Sequence, residues 1–448
     1  MVLPKLIKLP NQSKPFLVVM APFSSRSGYG EHSKDIVRGL IKSDKYRIGL
    51  VSLGWGSTPL TLDPVLDSDI IKCLITNPET LNSNKPDIFI HITIPNEFNP
   101  VGKYNIGITA GIETTLCQPT WLEGINRMDK VIVPSAFSKE ILQSAAYNVT
   151  DDNTQQKIGE LRSTKPIEVL FEGTDTDVYK IISEIEYSKI TNSIIKTDLD
   201  SVPEDFCFLI LGQWLKGDFG HDRKDIASTI LLFLKTFSNN KKKKTNPALV
   251  IKTGATFSEI ELTSLQNKIN DIKSTFPKDT KLPNIYLIYG DLSQTEMNIL
   301  YNHPKIKALV SLTKGEGYGR PLQEFAFIGK PVIVTNCSGQ VDFIKPDYHT
   351  LLGGQYQAVD PSAVDDFIIK ESAWFQVDYT QFEHSLKDIV KNYKNYKTRA
   401  SRGVSYLMKN KTLNQMNVKL IESVESKPIL KTDLPQLPKL KLPELKNG

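Results

Sequence analysis

Short apolar runs rich in β-branched residues alternate with amphipathic segments of helical period along most of this chain, and the series occurs twice. "FLVVMAP" (16–22), "RIGLVSL" (47–53), "DIFIHITI" (87–94), "YNIGITA" (104–110), "KVIVPS" (130–135) and "IEVLF" (167–171) read as buried strands of a parallel sheet. "EHSKDIVRGLIKS" and "SKEILQSAAYN" read as helices between them. After a break around 180–205, "CFLILG" (207–212), "ALVIKT" (248–253), "IYLIYG" (285–290), "ALVSLT" (308–313) and "PVIVTN" (331–336) continue as strands. "DIASTILLFLKTF", "SEIELTSLQNKINDIKSTF" and "SQTEMNILYNHP" continue as helices. This is βαβ alternation, hence an α/β chain with two Rossmann-like halves in tandem. Such halves place a cleft between them, and ligands bind outside the carboxyl ends of the strands.

A chain of 448 residues is too long for one comfortable core, which agrees with two domains. The expected division is 1–178, 179–400, a C-terminal helix over 401–426, and a tail over 427–448 whose repeated prolines forbid a regular helix. No apolar run reaches the roughly 18–20 residues that a membrane helix needs. The start, "MVLPKLIKLPNQSK", has no signal-peptide pattern, so a soluble, cytoplasmic protein is expected, with peripheral membrane contact left open. Cys73, Cys117, Cys207 and Cys337 are far apart, as isolated thiols in a reducing compartment would be. The net charge of +5 is mild. The basic run "NNKKKKTN" (239–246) has no interleaved aromatic residues and reads as a solvated loop, so no nucleic-acid partner is expected. The positive balance suits phosphate-bearing small molecules.

The segment "LTKGEGYGRPLQE" (312–324) carries the chemistry. A strand ends near Thr313, Pro321 fits the first turn of a helix, and Gly329 fits its end before Pro331 opens the next strand. Gly315, Gly317 and Gly319 let backbone approach a ligand closely, and the helix start with Arg320 favours an anion. Several charge-assisted hydrogen bonds together can hold a diphosphate where one alone cannot. Glu316 and Glu324 are poor phosphate ligands and good acceptors for sugar or ribose hydroxyls. The segment, Tyr318 included, therefore suits a sugar joined to a nucleotide through phosphates.

That stretch resembles the Glu-x7-Glu motif of retaining glycosyltransferases of the GT-B fold, family 4 especially. The resemblance covers most of the chain: "VIVPSAFSKEIL", "VLFEGTDTDVY", "GQWLKGDFGHDRKDIASTILLFLKTF" and "SGYGEHSKDIVRGL" are similar to further family segments. It implies two Rossmann-like domains facing a cleft, the first for the acceptor and the second for the donor, with a C-terminal helix crossing back. It implies that Glu316 contacts the donor sugar, Glu324 the ribose hydroxyls, and Arg223 and Lys224 the donor diphosphate. Gln213 stands where many members carry arginine, and "KGDFGHD" is inserted beside it. The resemblance further implies a nucleotide diphosphate sugar, UDP- or GDP-linked, as co-substrate, a carbohydrate or glycosylated acceptor, and no metal or other cofactor.

Gly28 and Gly30 in "SGYGEHS" shape a turn that contacts donor phosphate or acceptor; Ser33 replaces the third glycine of a dinucleotide fingerprint. "DTD" (175–177) resembles the metal motif of a different glycosyltransferase fold but sits in a connector and suits turn hydrogen bonds. His91 and Glu113, which follow strands of the first half, are candidate sugar or acceptor contacts. "SAWFQVD" (372–378) reads as a packing element between domains. An epimerase, hydrolase or phosphorylase on the same fold, and a non-catalytic sugar- or nucleotide-binding module, stay open from sequence alone.

Overall fold

The computed structural model describes residues 14–426 apart from 57–59, 152–153, 155, 215, 218, 240–245 and 255–261. The tail from 427 and most of the basic run at 239–246 thus lie outside the described residues. The first half contains β1 (Phe16–Ala21), β2 (Arg47–Ser52), β3 (Ile88–Ile92), β4 (Tyr104–Ile108), β5 (Lys130–Val133), β6 (Ala146–Thr150), β7 (Lys157–Arg162) and β8 (Ile167–Val169). Six of these form a sheet in the order β2-β1-β3-β4-β5-β8, parallel throughout. Consecutive residues Leu17, Val18 and Val19 are all buried, so this sheet is covered on both faces.

The second half contains β9 (Cys207–Leu211), β10 (Ala248–Thr253), β11 (Ile285–Tyr289), β12 (Ile306–Ser311), β13 (Val332–Thr335), β14 (Thr350–Leu352), β15 (Gly354–Ala358) and β16 (Ala373–Val377). Its main sheet runs β11-β10-β9-β12-β13-β14 and is also parallel. β15 and β16 pair antiparallel beside it. Every strand expected from the sequence is present, β12 shifted two residues toward the N-terminus.

Three expectations need correction. The helix expected to run through 148 spans Ala136–Ser144 only, and Ala146–Thr150 is a strand paired with β7. The helix expected from Glu31 begins at Gly28, because the Ser27 side chain caps the Gly30 amide at 3.0 Å. The terminal helix over 401–426 is two helices, Tyr393–Asn410 and Leu413–Glu425. The first lies on the second domain, where the Lys397 amine bonds the Gly329 carbonyl at 2.7 Å. At the break, Thr174 and residues 411–413 exchange backbone hydrogen bonds of 3.0 and 2.8 Å. Helix Leu413–Glu425, capped by Thr412, then crosses back onto the first domain. There the fully buried Lys130 donates to the carbonyls of Ser423 and Ser426 at 2.6 and 2.9 Å.

Candidate functional site

A cavity of about 1050 Å³ lies between the two halves, lined by residues that follow the carboxyl ends of the strands. Ser27 and Gly28 reach it from beyond β1, Gly212 and Gln213 from beyond β9, and Arg320 and Glu324 from the helix after β12. This is where the sheet topology alone places a ligand.

The helix Arg320–Phe327 is built as its sequence dictates. Gly319, at φ +97°, turns the chain into it, Pro321 sits in the first turn, and Gly329, at φ +65°, follows its end. Glu316 is fixed before this helix from both sides. Its amide donates to the Ser338 hydroxyl at 2.9 Å, and its carbonyl accepts the Gly339 amide at 2.9 Å. Ser338 itself adopts φ +54°, an unfavourable conformation for a residue other than glycine.

The Glu316 carboxylate meets two cations. Lys224 donates to Oε1, and Arg223 Nη1 lies 3.4 Å from Oε2. Burial pushes this carboxyl up, yet Lys224 and Arg223 outweigh burial and hold it below its ordinary value. Arg223 also donates to the Gly315 carbonyl at 3.0 Å and pairs with Glu113 Oε1 of the first domain at 3.1 Å. Burial raises the Glu113 carboxyl despite that arginine.

Two aspartates hold the basic pair in place. Asp222 accepts the Ile226 amide at 3.2 Å. Asp225, in a left-handed conformation, accepts the Tyr379 hydroxyl at 2.7 Å and lies 3.4 Å from the buried amine of Lys314. Lys314 in turn donates its amide to the Arg223 carbonyl at 2.8 Å.

A second cluster surrounds Arg320. Its Nε pairs with Glu324 at 3.0 Å, one helical turn away, and its Nη1 pairs with Asp35 of the first domain at 2.6 Å. Tyr301 donates to the other Glu324 oxygen at 3.4 Å. Glu172 is buried beside this group. Burial lifts its pKa to about 7, partly countered by Arg320 and reinforced by Asp35 and Glu324. One guanidinium thus pairs with a carboxylate of each domain, and its field reaches a third carboxyl, Glu172.

The other sequence candidates divide. Gly315 and Gly317 do allow close approach, but of the first domain's backbone. A β-carbon at Gly315 would lie 1.7 Å from the Glu113 carbonyl oxygen, and one at Gly317 2.0 Å from that of Ala110. Gly28 lines the cavity, whereas Gly30 packs on Ser25, whose carbonyl oxygen a β-carbon would meet at 2.0 Å. Tyr318 turns its ring onto Phe343 and its hydroxyl to Gln323, so the phenol is buried and does not line the cavity. His91 lies between Phe89 and Phe98 and accepts the Asn99 amide at 3.2 Å. Burial lowers its pKa to about 4 and keeps it neutral; it belongs to the first domain's packing rather than to the cluster around Glu316. Asp175 accepts the Asp177 amide at 2.9 Å, a turn contact. Thr115 and Ala373 exchange hydrogen bonds of 2.9 and 2.8 Å, which makes β16 a contact between domains.

Asp35, Glu172, Asp225, Lys314 and Ser338 escaped the sequence reading. Asp35 looks like the polar face of a helix, with nothing in its neighbours to point to Arg320.

No family model and no curated protein matches the sequence. Solved structures do match, over nearly the whole chain. HepE of Anabaena, in complex with UDP and glucose, shares 13% identity at a TM-score of 0.58, covering 92% of this chain and 100% of that one. Sucrose-phosphate synthase of Thermosynechococcus elongatus shares 10% at 0.58, covering 91% and 98%. A glycosyltransferase of Rickettsia africae shares 14% at 0.55, covering 92% and 98%. The chain has the GT-B fold, two Rossmann-like domains with a C-terminal helix crossing back.

Proposed function

We propose that this chain is a retaining, family 4-like glycosyltransferase that moves a sugar from a nucleotide diphosphate sugar, UDP- or GDP-linked, to a hydroxyl of a glycan, lipid or protein-linked acceptor. One observation carries the reading: two acids eight residues apart each meet a cation where the two domains touch, Glu316 with Lys224 and Arg223 beside Glu113, Glu324 with Arg320 beside Asp35 and lining the cavity. Solved structures of the same fold with bound UDP and UDP-glucose support it.

In this reading the donor diphosphate takes over Lys224 and Arg223, releasing Glu316 to accept hydroxyls of the donor sugar. Glu324, oriented by Arg320 and Tyr301, accepts from the ribose. Charge that develops on the departing diphosphate is met by cations already in position, which is electrostatic stabilisation without reorganisation and without a metal. The acceptor arrives on the face from which the phosphate leaves, and that phosphate takes the acceptor proton. Close contact between residues 110–113 and 315–317 excludes water that would otherwise hydrolyse the donor. The first domain serves the acceptor and the second the donor.

The test is incubation of the purified chain with UDP-, GDP- and ADP-sugars and a panel of acceptors, following nucleotide release and the anomeric proton of the product by NMR. Acceptor-dependent release with retained configuration is expected. Release independent of acceptor indicates hydrolysis or epimerisation, and an inverted product removes the retaining mechanism.

A further inference from the structure

Among the described residues, five cationic side chains line the large cavity: Arg26, Lys34, Arg38, Lys252 and Arg320. Four have carboxylate partners. Arg26 lies 3.8 Å from Asp291, Lys34 3.5 Å from Asp67, Arg38 2.7 Å from Asp67, and Arg320 2.6 Å from Asp35. Lys252 makes no ion pair and no side-chain hydrogen bond among the described residues, although only 9% of it is exposed. A largely buried ammonium with no ion-pair partner is costly, and the cost falls when an anion arrives.

The strand register says where that anion would sit. Lys252 is the next-to-last residue of β10, paired with Leu211 at the end of β9. Its carbonyl accepts the Gly212 amide at 3.2 Å. The aliphatic part of Lys224 flanks the same Gly212, with Cε 3.5 Å from where a β-carbon would be. Lys224 and Lys252 therefore bracket one strand end, beside the uncharged Gln213. We infer that Lys252 is a further phosphate-binding residue, which holds the diphosphate of the nucleotide sugar together with Lys224. The inference rests on the glycosyl-transfer reading and adds a residue to it. Burial lowers the Lys252 pKa, with the field of Asp291 opposing, and a diphosphate beside it would act in the same sense as Asp291.

Calorimetric titration with UDP, GDP and ADP, each against its own nucleoside, tests this on wild type, Lys252→Met and Lys252→Arg. The best-binding diphosphate is expected to lose at least about tenfold in affinity for Lys252→Met and to stay within about threefold for Lys252→Arg. Nucleoside affinity should change less than about twofold, as a contact to phosphate alone requires. Lys252→Met should also melt no lower than wild type without nucleotide, since it removes a largely buried charge that has no ion-pair partner. Lys252→Gln gives the same comparison if the methionine variant does not fold. Unchanged diphosphate affinity, or an equal loss for the nucleoside, overturns the inference and leaves the glycosyl-transfer reading standing. Failure of the wild type to bind any of the three overturns both.

Discussion

Arg320 of the second domain grips Asp35 of the first at 2.6 Å while holding Glu324, one turn along its own helix, at 3.0 Å. The residue that orients a candidate ribose acceptor is therefore also a tie between the domains. Both carboxylates are nearly buried, and the arginine is what makes their burial tolerable.

Arg320→Gln should destabilise the protein by about 3 kcal/mol, because it strands two buried acids. Adding Asp35→Asn should recover at least about 1 kcal/mol, since that substitution removes one of them. Denaturant unfolding of the single and double variants checks this. A double variant no more stable than the single one would show that the pair is not coupled.

Glu172 makes stability depend on pH. Its folded pKa of about 7 lies above the ordinary 4.5, so the folded state binds the proton more tightly. Stability is then fully kept below pH 4.5 and lost as pH rises toward 7, by about 3 kcal/mol for a shift of this size. Glu172→Gln should be more stable than wild type at pH 8 and gain almost nothing at pH 4.5. Unfolding curves at both pH values decide it; an equal gain at both would place the cause elsewhere.

Lys224→Ala should lower turnover about 100-fold or more, as loss of a cation acting on transition-state charge does. Its melting temperature should fall by only about 3 °C, because Arg223 still neutralises Glu316. Equal turnover in the variant would remove Lys224 from the mechanism.

Gly317→Ala has no room for its methyl group while the Ala110 carbonyl stays where it is. The two domains should be held apart, with a larger radius of gyration in small-angle scattering, unchanged circular dichroism and turnover lowered about 100-fold. Unchanged scattering and turnover together would show that the contact is not needed for closure.

The main strands were legible because a sheet covered on both faces demands continuous β-branched runs, which few other structures demand. β15 was not: "GQYQA" is exposed and polar, and it is a strand only because β16 pairs with it. Glu316 and Glu324 stood out as a motif with a chemical rationale, and Arg223 and Lys224 only through the family resemblance. The Asp35–Arg320 pair was not, since its partners are 285 positions apart and neither spacing nor composition relates them. The glycines announced a close approach without saying to what. Ser338 gave no signal at all, because a serine driven to positive φ looks like any other serine in a loop.

The proposed transfer requires that the cleft between the domains bind a nucleotide diphosphate sugar through Lys224, Arg223 and Glu324. Its most direct test is calorimetric titration of wild type, Lys224→Ala and Glu324→Ala with UDP-glucose, GDP-mannose and ADP-glucose. Saturable one-to-one binding of at least one sugar nucleotide by the wild type is expected, weakened at least about tenfold in each variant. Binding of none of them by the folded wild type, or equal binding by all three proteins, would contradict it.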